Sequence, residues 1–239
     1  MIDTIGFDAD DTLWHNETLY LTAQQKFQEI LSPFCEPDQI LQELYKTEMQ
    51  NLHRYGYGIK SFTLSMIETA IKLSKSSVPA TEIDEILGVG WEMLSAPVQL
   101  LEGVTDVLAA LSPAYELVLI TKGDLFDQEL KVARSGLESY FAHVEVVRDK
   151  TPEIYRSVLA RHQIAPERFL MVGNSLRSDV MPLVTLGARA VHIPYDVTWE
   201  HEEVESGPDP SARYVQLEQI GLLPDYVRDL AKTQRNPSA

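Results

Sequence analysis

Four short segments of this chain carry the side chains best suited to chemistry. Asp8-Ala9-Asp10-Asp11-Thr12 follows the apolar run Ile5-Gly6-Phe7, and Thr121-Lys122-Gly123-Asp124 follows Leu117-Val118-Leu119-Ile120. Lys150 stands just before Thr151-Pro152, and Gly173-Asn174-Ser175, with Asp179 on the next turn, follows Phe169-Leu170-Met171-Val172. Carboxylates drawn to one point repel one another unless a cation is present, and hard oxygen donors suit Mg²⁺, which keeps several waters and needs few protein ligands. Lys150, the Thr121 hydroxyl and backbone N–H groups near Gly123 and Asp124 offer what a phosphoryl group requires, positive charge and donors. The set points to magnesium and phosphate, provided that the fold gathers it.

A parallel sheet would do so. Short Val/Ile/Leu-rich runs alternating with longer amphipathic stretches predict strands at 4–8, 116–121, 143–147, 168–173 and 188–193, with a weaker one at 213–217. Asp124 is placed to cap one intervening helix, Thr151 another whose first residue is Pro152, and a third fills 176–186 before Gly187. In an open parallel sheet, ligands lie beyond the carboxyl ends of the strands, where these polar segments fall.

Between the first two strands the apolar spacing turns helical. Leu19, Ala23, Phe27 and Ile30 form one stripe after Asn16 as cap, and Ile40, Leu41, Leu44 and Tyr45 a second. Phe62, Met66, Ile67, Ala70 and Ile71 form a third; Ile83, Ile86, Leu87, Trp91 and Leu94 form a fourth, after a capping pair in Thr81 and Asp84. The expected architecture is an α/β body at 1–15 and 97–239, a Rossmann-like parallel sheet flanked by helices, with an inserted α-helical domain at 16–96. Residues 199–211 read as an acidic surface loop, and 232–239 as a frayed terminus.

Composition narrows the partners. Thirty-six acidic residues against twenty Lys and Arg leave a net charge of −16, which repels a nucleic-acid backbone. Cys35 is the single cysteine, so no disulfide forms within the chain. No apolar run reaches the length of a membrane span, and the N-terminus lacks the basic region of a signal peptide, which predicts a cytoplasmic protein away from membranes. Oligomeric state is not legible.

Asp8-x-Asp10-x-Thr12, then Thr121, Lys150 and Gly173-Asn174-Ser175-x-x-x-Asp179, in this order, resemble the four motifs of the haloacid dehalogenase superfamily, and the helical insertion resembles its cap domain. The resemblance spans the α/β body from end to end. It departs at Asn174, where many relatives carry aspartate; an amide oxygen still coordinates Mg²⁺ but brings one charge fewer. Metal contact is assigned to Asp8, the backbone carbonyl of Asp10, and Asn174, with Asp179 either a direct ligand or an orienting group.

The resemblance implies a Mg²⁺-dependent phosphomonoester hydrolase acting on a small phosphorylated metabolite. Asp8 attacks phosphorus to form an aspartyl-phosphate, Asp10 serves as acid and then base, and Thr121, Lys122 and Lys150 hold the phosphoryl group. Asp10 disfavours a dehalogenase, because displacing halide needs no acid. A phosphomutase or phosphonatase of the same superfamily is the alternative; a phosphoryl-accepting receiver module and a noncatalytic binding relative are alternatives of another class. Substrate specificity is assigned to the cap stretch His53–Lys60, with Arg54, Tyr57 and Lys60 facing the substrate. Trp14 and His15 are read as hinge packing.

Overall fold

Among the described residues, six apolar runs become six strands: β1 (Thr4–Phe7), β2 (Glu116–Lys122), β3 (His143–Val147), β4 (Phe169–Gly173), β5 (Arg189–His192) and β6 (Tyr214–Gln216). The computed structural model describes residues 1–197, 199–202 and 213–235. The strands make one all-parallel sheet in the order β3-β2-β1-β4-β5-β6. The predicted strands agree with these to within two residues at each end.

The chain divides into two compact units, Met1–Glu17 with Val98–Lys122 and Lys131–Ala239, and Thr18–Pro97 with Gly123–Leu130. In the first, alternate strand residues feed two cores, because side chains on a strand point to opposite faces. Ile5, Phe7, Leu117, Leu119 and Val172 pack with Val104, Val107 and Leu108 of α5 (Val104–Leu111) and Leu223 and Val227 of α9 (Leu223–Arg235). Val118, Ile120, Phe169 and Met171 pack on the other face with Tyr155, Val158 and Leu159 of α7 (Pro152–Arg161) and Leu183 of α8 (Met181–Thr185). Burial on both faces is why these strands read as continuous apolar runs.

β1 lies at the point where strand order reverses, with β2 on one side and β4 on the other. Phe7 is in register with Leu119 and Val172, so Asp8 leaves the sheet at the crevice this reversal creates.

The second unit contains α1 (Glu17–Leu31, its first residue belonging to the sheet unit), α2 (Pro37–Tyr55), α3 (Ile59–Leu73) and α4 (Ala80–Ser95) around Phe27, Ile40, Leu44, Phe62, Met66 and Ile86. Residues 123–130, the start of α6 (Leu125–Ser135), group with these helices.

Local details differ from expectation. The backbone N–H groups of Asn16 and Glu17 donate to the Asp11 carboxylate, so Asp11 caps α1 and the Asn16 side chain does not. Pro79, not the Thr81 and Asp84 pair, precedes α4; Thr81 donates to Glu82 instead. Trp91 is 66% exposed and Ile71 44%, the buried face of α4 being made by Ile86, Val89, Gly90 and Met93. The stretch 176–186 is broken into a π-helical turn, Leu176–Val180, and α8. Helix α9 continues to Arg235 where fraying was expected from Lys232. Most of the expected 199–211 loop, and residues 236–239, lie outside the described residues. Among the described residues no helix is long and apolar enough to cross a membrane.

Candidate active site

The turn after β1 is built around Asp8. Its N–H donates to the Val172 carbonyl at 2.9 Å, tying β1 to β4, and its Oδ2 accepts from Thr12 Oγ1 at 2.9 Å. Thr12 Oγ1 also accepts the Asn174 N–H at 3.1 Å and lies 3.3 Å from Asn174 Oδ1. The ends of β1 and β4 are thus tied through one hydroxyl. Asp11 takes a positive φ of 62° at this turn, in the region that Asp tolerates better than most residues, and this turns its carboxylate toward the start of α1.

Lys150 joins two acids. Its Nζ pairs with Asp8 Oδ1 and, at 2.7 Å, with Asp179 Oδ1, all three side chains being nearly excluded from solvent. Asp179 is further held by the Tyr155 hydroxyl at 3.4 Å and the Ser175 N–H at 3.1 Å. Burial would draw the Lys150 ammonium down, yet Asp179 and Asp8 hold it well above its usual range. Burial pushes Asp8 up to about 7; Lys150 opposes the rise, and Asp179 and Asp10 add to it.

Asp10 receives the Trp14 indole N–H on Oδ1 at 2.6 Å, and Lys131 Nζ on Oδ1 at 2.8 Å and Oδ2 at 2.9 Å. Lys131 also donates to Asn16 Oδ1 at 3.1 Å. Trp14 is therefore more than packing. Lys131 escapes the sequence reading because it lies two helical turns beyond the Thr121 segment, on the polar side of an ordinary amphipathic pattern. His15 Nδ1 meets the Tyr195 hydroxyl at 2.6 Å.

Lys122 pairs with Glu202 and donates to Ser178 Oγ at 3.0 Å. Glu202 Oε2 accepts from Ser175 Oγ at 2.5 Å and Ser178 Oγ at 2.6 Å. Burial would raise Glu202, but Lys122 and the two serines hold it at about 2. The surface-loop expectation does not hold at this residue. Glu17 is pushed up to about 7 by burial, with Asp11, Asp10 and Glu202 adding to the rise.

Thr121, at the end of β2, is 1% exposed. Asp124 caps α6 as expected, accepting the Asp127 N–H at 3.1 Å, and Thr151 caps α7, accepting from Ile154 N–H at 3.4 Å. Arg54, Tyr57 and Lys60 belong to the helical unit. Arg54 is exposed at the end of α2, Tyr57 is half-buried between α2 and α3, and Lys60 pairs with Asp124 Oδ1 at 2.8 Å with its Nζ 5.3 Å from the centre of the Phe126 ring. Gly58, at φ 104°, lies against the Asp124 backbone, where a Cβ would approach the amide nitrogen to 3.2 Å.

Among the described residues, no three acid, His or Cys side chains converge as a ready-made metal cage. Asp8 and Asn174, each within reach of the Thr12 hydroxyl, bring hard oxygen donors of the kind Mg²⁺ completes with water. Their donor chemistry, a buried carboxylate and an amide oxygen, fits such a hard cation.

A family model for haloacid dehalogenase-like hydrolases matches residues 2–187. The chain is 41% identical to a haloacid dehalogenase-like family hydrolase from Xanthomonas campestris of solved structure, which superposes with a TM-score of 0.88 over 98% of this chain and 94% of that one. It is 26% identical over 208 residues, 82% of either chain, to a glyceraldehyde 3-phosphate phosphatase of Pyrococcus abyssi. To the Pyrococcus furiosus protein of the same name it is 31% identical over 114 residues, spanning 46% of that protein's length and of its own.

Proposed function

The chain belongs to the haloacid dehalogenase-like hydrolases, and from that premise we propose that it is a Mg²⁺-dependent phosphomonoester hydrolase working through an aspartyl-phosphate. The observation that carries this reading is the buried Asp8–Lys150–Asp179 cluster at the strand-order reversal, with Asp10 two residues from Asp8.

Asp8 is the nucleophile. Its carboxylate needs no base, only relief from the charge that burial and neighbouring acids impose. Lys150 supplies part of that relief and draws the phosphoryl oxygens, and the Thr121 hydroxyl donates to one of them. Asp8 Oδ, the Asp10 carbonyl and Asn174 Oδ1 would hold Mg²⁺, which would supply further positive charge there. Asp179, hydrogen-bonded to Lys150, Tyr155 and the Ser175 N–H, orients Lys150. Asp10 protonates the ester oxygen as its bond to phosphorus breaks, then takes a proton from the water that attacks the aspartyl-phosphate.

The helical unit is the cap that reads the leaving portion, with Arg54, Tyr57 and Lys60 as its specificity residues. The names of the Pyrococcus relatives support a small phosphorylated metabolite as substrate. The test is phosphate release from a metabolite panel that includes glyceraldehyde 3-phosphate, with and without Mg²⁺, by wild type and Asp8→Asn. Turnover that requires Mg²⁺ and vanishes in Asp8→Asn supports the reading; full turnover by Asp8→Asn overturns it.

A further inference from the structure

Lys131 is a partly buried lysine that none of the four motifs contains. Its side chain is 13% exposed, and its ammonium meets Asp10 Oδ1 at 2.8 Å, Asp10 Oδ2 at 2.9 Å and Asn16 Oδ1 at 3.1 Å. The ammonium thus has its partners in Asp10 and Asn16. A single lysine lying on both oxygens of one carboxylate fixes the plane of that carboxylate. The Trp14 indole N–H, 2.6 Å from Oδ1, fixes which edge faces inward.

The support behind Lys131 is stiff. Its neighbour Val132 is 4% exposed within the core on one face of the sheet, and Leu137 just beyond the helix is 2% exposed in the same core, so α6 cannot easily turn about its axis. Trp14 is 1% exposed and its backbone carbonyl accepts the Asp11 N–H at 2.8 Å. A carboxyl that only bound metal through its backbone would have no use for such a clamp. A carboxyl that must present one oxygen to an ester oxygen and then to a water does, because proton transfer depends on placement within hydrogen-bond reach.

We infer that Lys131 is a positioning residue for Asp10, directing the carboxyl that exchanges a proton with the leaving group and the attacking water. This rests on the acid and base role proposed for Asp10. The consequence is specific to leaving groups. An alkyl phosphate expels a strongly basic alkoxide and depends on the acid, whereas p-nitrophenyl phosphate expels a stable phenolate and depends on it little.

The experiment compares kcat/KM for glycerol phosphate and p-nitrophenyl phosphate in wild type, Lys131→Met and Lys131→Arg, each checked for folding by circular dichroism. Lys131→Met is expected to lose about 10²-fold on the alkyl ester and less than about tenfold on the aryl ester, within the range general acids contribute. Lys131→Arg, which keeps charge and donors, recovers most of the difference between the two esters. Should Lys131→Met fail to fold, Lys131→Gln is measured in the same way. An equal loss on both esters, or no loss on either, in a folded variant overturns the inference. Asp8→Asn in parallel separates the two levels: if it abolishes turnover while the ester ratio of Lys131→Met stays at the wild-type value, the positioning role alone fails.

Discussion

Gly173 and Asp179 approach so closely that a Cβ on Gly173 would stand 2.5 Å from Asp179 Cβ, and nearer still to its carboxyl carbon. Only a residue without a side chain lets the end of β4 pass beneath the carboxylate that holds Lys150.

Gly173→Ala must therefore displace Asp179 or bend β4. We expect a loss of about 1–3 kcal/mol in unfolding free energy, the usual range for overpacking, and a larger relative fall in phosphatase turnover because Lys150 follows Asp179. Denaturant unfolding with parallel assays checks this. Wild-type stability and activity in Gly173→Ala would contradict it.

Lys150→Met leaves Asp8 and Asp179 buried without their counter-ion, and removing one partner of such a pair costs about 3–5 kcal/mol. The cost is pH-dependent. Lys150 holds the Asp8 value down, so its loss raises that value further. A raised carboxyl lets the folded state bind protons more tightly than the unfolded one, so stability falls as pH rises through the interval between the two values. Because wild-type Asp8 already lies at about 7, the deficit of Lys150→Met against wild type should shrink as pH falls toward 7 and stay level below it in thermal unfolding.

Glu202→Gln tests the fastening of the short helical turn at 200–202 to the Asn174–Asp179 segment. Glu202 lies at about 2 when folded against an ordinary 4.5, so its stabilisation is complete above pH 4.5 and is lost as pH falls toward 2. The glutamine variant should be less stable at pH 7 by about 2 kcal/mol, the scale of a charge-assisted hydrogen bond. Its stability should also lack that part of the acid-side decline.

Asn174→Asp adds a charged oxygen to the proposed Mg²⁺ set. Apparent Mg²⁺ affinity, read from activation of turnover, should tighten on the order of tenfold, as ligand charge count tunes such sites. The same change lengthens the list of acids around Asp8, so the metal-free variant should melt lower than metal-free wild type. Unchanged Mg²⁺ dependence would remove Asn174 from the set.

Much of this was legible in the sequence for definite reasons. β1, β2 and β4 are buried on both faces, so their apolar runs announce themselves, and Asp8, Thr121, Lys150 and Asn174 follow strands or precede a helix cap. Trp91 misled because helical spacing places it near the apolar stripe of α4, while Gly90 and Met93 carry the contact. The capping role of Asp11 depends on a positive φ that no pattern encodes. Lys131 and Glu202 were hidden because their partners are remote in sequence, 121 residues away for Lys131 and Asp10 and 80 for Glu202 and Lys122.

The covalent role of Asp8 is tested most directly by acid quench during turnover of a phosphate ester, followed by mass analysis of the peptide carrying residue 8. A phosphoryl adduct on Asp8, present in wild type with Mg²⁺ and absent from Asp8→Asn, is the expected result. Continued turnover with no adduct, at an undiminished rate in Asp8→Asn, would contradict it.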